Sequence, residues 1–237
     1  DQAAAGISLS IWSRATGGHV PARLVDQELS KHTDDAHTAT ELGIAEGVRL
    51  LAEGDPAGAA ERLRMAASVV AGAGLRQEYV APVQPWLASA LRTQAEGCSP
   101  FARRERTALA RQARHAAHRG LRLARHYRNN LPHALRELAL AEMMLAREGT
   151  ARRLIDKSLA VATKQGASHE YLLSLAARAR MGAAAGWDSA EEDAGAAQVA
   201  TAEVGPDPAA WIEPDTPTLS LVDRFTGLLE SARTIAA

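Results

Sequence analysis

Phe101–Arg128, FARRERTALARQARHAAHRGLRLARHYR, is the stretch on which the reading of the whole chain turns. It carries nine arginines and three histidines against a single acid, Glu105. Projected at about 100° per residue, Ala110, Ala113, Ala117, Leu121 and Ala124 line one side. Arg111, Arg114, His118, Arg122 and Arg125 fall on the adjacent side, with His115 and Arg119 beyond them. This predicts an amphipathic helix of several turns, small and apolar on one stripe and cationic on the other. Small side chains let two helix backbones approach closely, so the helix is suited to stacking between other helices.

The rest of the chain agrees. Its 237 residues are enough for a substantial core, in one long domain or two modest ones. The apolar content of 46% comes largely from Ala and Leu, and aromatics contribute only 4%. Val, Ile, Thr and Tyr never alternate for long, so an all-α fold is expected. The net charge of −1 gives the chain no general bias toward nucleic acid or membrane, but the charge is segregated. No Lys or Arg lies between Arg180 and Arg224, a span that holds nine acids from Asp188 to Asp223. One cysteine, Cys98, excludes an intrachain disulfide and a cysteine-built metal site. There is no signal peptide and no run of about 18 apolar residues to span a bilayer, which makes a cytoplasmic location the expectation. The chain starts at Asp1 and stops inside a helical pattern, and is expected to be a piece of something longer.

Read in order, the sequence predicts helices over Gln2–Arg14, Ala22–Lys31, Thr38–Glu53 and Ala59–Val70. A further helix within Glu78–Ala95 starts near Trp86, because Pro82 and Pro85 disfavour regular helix before it. The basic helix is followed by Pro132–Arg147, Thr150–Gln165, Glu170–Ala185 and Ser189–Glu203. Gly17, Gly54, Gly149 and Gly186 read as turn residues, spaced 37, 95 and 37 apart. Paired helices at such a period are the pattern of an α-solenoid, in which each hairpin buries its face only against its neighbours. An irregular helical bundle is the alternative.

Glu41–Val69, ELGIAEGVRLLAEGDPAGAAERLRMAASV, resembles a tetratricopeptide-type hairpin, with Ala45 and Gly47 inside its first helix and Gly54-Asp55-Pro56 at its turn. Leu131–Trp187 resembles the helical-repeat region of large bacterial signalling proteins, where a STAND-type or AAA+ ATPase module precedes the repeats. Leu219–Ala237 is similar to the connector from such repeats into a GAF domain and a histidine kinase or cyclase output. The resemblance covers most of residues 40–237. It implies a repeat domain over residues 1–205 with about five hairpins, a Pro/Asp-rich linker over 206–217, and a connector or capping helix over 218–237. No Walker-type GxxxxGK[ST] and no kinase signature is present, so what it implies is a relay and docking scaffold without catalytic residues or a cofactor.

Candidate chemistry is sparse. Guanidinium forks on the basic face pair with phosphates or carboxylates, so Arg111, Arg114, His118, Arg122 and Arg125 are the candidate partner-binding residues. Apart from Tyr127 there is no interleaved aromatic and no DNA-reading motif, which disfavours nucleic acid and leaves a protein partner, or domains of the parent chain. A merely solvated face, or one paired with the acidic 188–215 stretch, is the plain reading. His32, Asp34, Asp35 and His37 include zinc-ligand types but read as a loop and helix start. His115 and His118 sit among arginines that repel a cation. Cys98, between two helices, has no histidine close in sequence. Leu221, Phe225, Leu228 and Ala232 recur at heptad spacing and suggest either a homodimer connector or a folded-back cap.

Overall fold

The computed structural model describes residues 2–31 and 34–204, and every regular element among them is helical. The α-helices are α1 (Gln2–Ala15), α2 (Ala22–Leu29), α3 (Ala36–Ala52), α4 (Pro56–Gly72), α5 (Val83–Glu96), α6 (Arg103–Ala124), α7 (Leu131–Met144), α8 (Glu148–Gln165), α9 (Ser168–Ala185) and α10 (Ala190–Val204). Described residues up to Leu75 form one compact unit, and those from Arg76 to Val204 form a second. No helix of the described residues is long and apolar enough to cross a membrane.

In the first unit α3 packs against both α1 and α4, while the two-turn α2 touches α1 and α3 only lightly. Leu9, Trp12, Val20, Val25, Leu42 and Ala45 form a core cluster there. Ser13 Oγ donates to the Ala45 carbonyl at 2.9 Å and ties α1 to α3. The α3–α4 contact depends on missing side chains. A Cβ on Gly47 would lie 2.5 Å from Leu63 Cγ, and one on Gly43 would lie 2.9 Å from Ala66 Cβ. The small residues within Glu41–Val69 are therefore what lets this hairpin close.

In the second unit each helix packs on the next, and α7 also lies against α5 and α9. α7 is the centre: every residue from Pro132 to Glu142 is buried. Ala139, Leu140, Ala151, Ile155, Ala177, Met181 and Trp187 form its main apolar cluster. The fully buried Leu and Ile side chains in such cores each contribute about 1.5–3 kcal/mol.

Local chemistry sets the helix ends. Asp35 caps α3 by accepting from the Thr38 N–H at 2.8 Å, and Asp55 caps α4 from Gly58 N–H at 2.9 Å, with Pro56 in the first turn. α3 closes with Gly54 in the left-handed region at φ 80°, the Gly54 N–H reaching Leu51 O and the Asp55 N–H reaching Leu50 O. α7 closes the same way, but with Ala146 at φ 59° as the left-handed residue. The Ala146 N–H reaches Met143 O and the Arg147 N–H reaches Glu142 O.

Three sequence expectations change. Gly149 makes no turn; it lies in the first turn of α8, and Ala146 makes the reversal instead. α5 begins at Val83 rather than near Trp86, because Pro82 and Pro85 fall at its cap and first turn, where the missing N–H groups have no intrahelical partner to lose. Leu121 is only half-buried, and Gly120 takes its place in the buried stripe of α6. The linker 206–217 and the helix carrying Leu221, Phe225, Leu228 and Ala232 lie outside the described residues.

Candidate docking surface on the basic helix

α6 buries Leu109, Ala110, Ala113, Ala116, Ala117, Gly120 and Ala124. Against α5 the two backbones come close: a Cβ on Gly120 would lie 3.0 Å from Pro85 Cδ. The opposite side carries Arg104, Ala108, Arg111, His115, His118, Arg122 and Arg125, all exposed and spaced 4, 3, 4, 3, 4, 3. Among the described residues, the side chains of Arg103, Arg104, Arg106, Arg111, Arg119, Arg122 and Arg125 make no ion pair.

Of the five candidate partner-binding residues, Arg111, His118, Arg122 and Arg125 are on this open face. Arg114 is not equivalent to them. It is half-buried, and its Nε donates to Glu142 Oε1 of α7 at 2.6 Å. Glu142 is 2% exposed, and its other oxygen accepts from Arg147 Nη1 at 3.3 Å. Arg114 therefore neutralises a buried acid. Partial burial, then the Arg114 cation, hold the His118 imidazole below its ordinary pKa.

The first turn of α6 runs against helix electrostatics. Ala102 occupies the N-cap position without a side-chain hydrogen bond, and Arg103, Arg104 and Arg106 crowd the positive end of the helix dipole, with Glu105 the one acid. Each such cation costs about 0.3–1 kcal/mol when it faces the like end of the dipole. Among the described residues no ion pair offsets that cost.

Of the acids that the sequence offered as partners for α6, those with described side chains, Asp188 to Asp193, make no ion pair with it, and Glu203, Asp207, Glu213 and Asp215 lie outside the described side chains. Asp193, on α10, pairs with Arg178 of α9 through two bonds of 2.9 and 2.5 Å, and Arg178 also reaches Asp156 at 3.3 Å. Glu191 and Glu192 are exposed on α10.

A second polar constellation, which the sequence reading missed, runs through the buried faces of α5, α7 and α9. Arg92 Nε donates to Glu137 at 2.7 Å, and Arg92 Nη1 to Glu96 at 2.7 Å. Arg136 donates to Glu170 at 2.5 Å and to Ser174 at 3.5 Å. Ser158 donates to the Pro132 carbonyl at 2.8 Å and lies 2.8 Å from Ser174 Oγ. His133 packs edge-on to Trp86, with ring centroids 4.8 Å apart, and its Nε2 lies 2.9 Å from Ser89 Oγ. Burial, then the nearby Arg136, push the imidazole down to about 4. Burial drives the Glu137 carboxyl upward, but Arg92, His133 and Arg136 together outweigh it and hold the group below the usual carboxylate range. A legible signal existed: Arg136-Glu137 interrupts a segment that is otherwise apolar all round, as a helix buried on every side requires.

The Ser89–His133 pair is buried between α5 and α7. Ser89 Oγ lies 3.2 Å from the Pro85 carbonyl and 2.9 Å from His133 Nε2, and the direction of the second bond follows the imidazole tautomer. Cys98 is half-buried, with Sγ turned toward the Gln94 carbonyl at 3.4 Å. Asp35 is engaged as a helix cap, and no group of three or more metal-ligating side chains forms among the described residues. His32 lies outside them. No protein-family model, curated protein or solved structure matches the chain.

Proposed function

We propose that this chain is a non-catalytic docking and signal-relay scaffold of tetratricopeptide-like helical hairpins, part of a cytoplasmic, multidomain bacterial signalling protein. The observation that carries the reading is the exposed face of α6, whose arginines have no carboxylate partner among the described residues while Arg49, Arg92, Arg136 and Arg178 are all paired. Stacking of α5 through α10, each helix on the next and α7 also against α5 and α9, supports the repeat architecture. The partner is an acidic protein surface, supplied by another protein or by another domain of the same parent. Arg111, His118, Arg122 and Arg125 make the contact, and Arg114 supports the face from behind.

The test is binding of fluorescent polyglutamate, and of a DNA duplex of equal charge, to the purified chain at 50 and 300 mM salt. Salt-sensitive polyglutamate binding that is lost in the Arg111→Glu/Arg122→Glu/Arg125→Glu variant supports acidic-protein docking. Preference for the duplex replaces it with the nucleic-acid alternative. Binding of neither ligand at 50 mM salt removes the docking surface altogether.

A further inference from the structure

Resting on that reading, we infer that the occupant of the α6 face is itself an acidic α-helix, with carboxylates repeating every three and four residues, laid lengthwise along the Arg104–Arg125 stripe. The argument begins with spacing. Arg104, Arg111, His118 and Arg125 are seven apart, and Ala108, His115 and Arg122 fill the intervening four-residue steps. Along an α-helix rising about 1.5 Å per residue, this places one position every ~5 Å over a stripe of about 32 Å.

A partner helix with the same repeat presents its side chains at the same mean interval, so every step stays in register. An extended acidic segment presents same-side residues about 6.8 Å apart. Its mismatch of about 1.5 Å per step accumulates to roughly 9 Å along the stripe.

The stripe also has a slant. A seven-residue repeat drifts about 20° per heptad around a straight helix, so the line turns by about 60° between Arg104 and Arg125. A second helix crossing at about +20° follows that drift, the geometry of left-handed helix pairs. Duplex DNA meets the line differently, because its phosphates wind around an axis and leave a straight rod after a few contacts.

The side chains suit the occupant. Arg104 and Arg111 at one end, and Arg122 and Arg125 at the other, are exposed and make no ion pair among the described residues, and a guanidinium fork binds a carboxylate through two parallel hydrogen bonds. His115 and His118 separate the two ends, so the strongest contacts are expected at the ends of the stripe.

The experiment uses two lactam-locked helical peptides of 25 residues and identical composition. In one the glutamates follow the 3–4 repeat; in the other the same glutamates are spread around the helix. An aligned peptide that binds at least tenfold tighter supports the inference. So does loss of that preference in Arg122→Glu with recovery by a peptide carrying Lys at the facing position, while Arg180→Glu, an exposed control of equal charge change on α9, keeps it. Equal affinity for the two peptides overturns the helical occupant while leaving acidic docking in place. Failure of both peptides, with polyglutamate also failing, overturns the docking reading itself. Tighter binding to a DNA duplex than to the aligned peptide overturns both.

Discussion

Arg114 Nε donates to Glu142 Oε1 at 2.6 Å, across 28 residues of sequence, and this bond separates one arginine of α6 from its neighbours on the same helix. Removing the guanidinium leaves a buried carboxylate with Arg147 as its remaining partner. Arg114→Ala is therefore expected to lose about 1–2 kcal/mol of stability. Arg122→Ala, on the exposed stripe, is expected to stay within about 0.5 kcal/mol of the parent. Urea unfolding of the two variants makes the comparison, and equal losses would contradict the division of α6 into structural and open arginines.

Arg92 and Glu137 make the central polar contact between α5 and α7, with Glu137 only 3% exposed. Glu137→Ala leaves the largely buried Arg92 guanidinium with Glu96 as its remaining partner and is expected to cost about 1.5–3 kcal/mol. Replacing both residues by methionine removes the under-compensated charge, so the double variant should regain most of the loss. A double-mutant cycle on unfolding free energies measures the coupling.

The His133 imidazole, held down to about 4 in the fold against an ordinary value of 6.5, stays neutral in the native chain while the unfolded chain takes up a proton. Stability is therefore full above pH 6.5 and falls as pH drops toward 4, by on the order of 3 kcal/mol across the window. His133→Gln, which keeps a polar group near Ser89, should flatten this segment of the profile. Below about pH 4.5 the loss continues in both proteins as the depressed Glu137 and Glu170 carboxyls protonate. Urea midpoints measured from pH 7.5 down to about pH 2.5 resolve the two phases.

Ala146 adopts φ 59° at the end of α7, where a Cβ meets the following carbonyl. Ala146→Gly is expected to stabilise the chain by about 0.5–1 kcal/mol, the relief of left-handed strain exceeding the added freedom of the unfolded state. Gly149→Ala, inside α8, should stabilise slightly through helix propensity alone. Thermal unfolding separates these, and a destabilised Ala146→Gly would refute the strain.

Gly47→Ala places a methyl 2.5 Å from Leu63 Cγ in a fully buried contact. Overpacking of this kind is expected to cost about 1–3 kcal/mol. Adding Leu63→Ala should give a double variant less unstable than the sum of the two changes, because the new methyl occupies space that leucine vacates. Circular dichroism melts of the three variants test it.

Much of this molecule is legible one segment at a time. The ten helices among the described residues follow the three- and four-residue recurrence of Ala and Leu, and Asp35, Asp55 and Gly54 mark their ends through groups within five residues of themselves. The left-handed turn after α7 was misplaced by three residues, because Gly149 is the expected residue and the reversal falls on Ala146. The polar ladder through His133, Arg136 and Glu137 was unread for a different reason. Each of its partners, Ser89, Glu170 and Arg92, lies 34 to 45 residues away.

The amino-acid order by itself determined that the described residues are helical and that α6 has an apolar and a cationic side, since both follow from interactions over a few residues of one helix. Tertiary packing alone decided which charges are used up within the fold. Arg111, Arg114 and Arg122 look alike along α6, and only the seating of α7 beside it brings Glu142 to Arg114 and leaves the other two to solvent. A charge is neutralised by what lies within a few ångströms, and in a stacked helical protein that neighbour comes from the next helix.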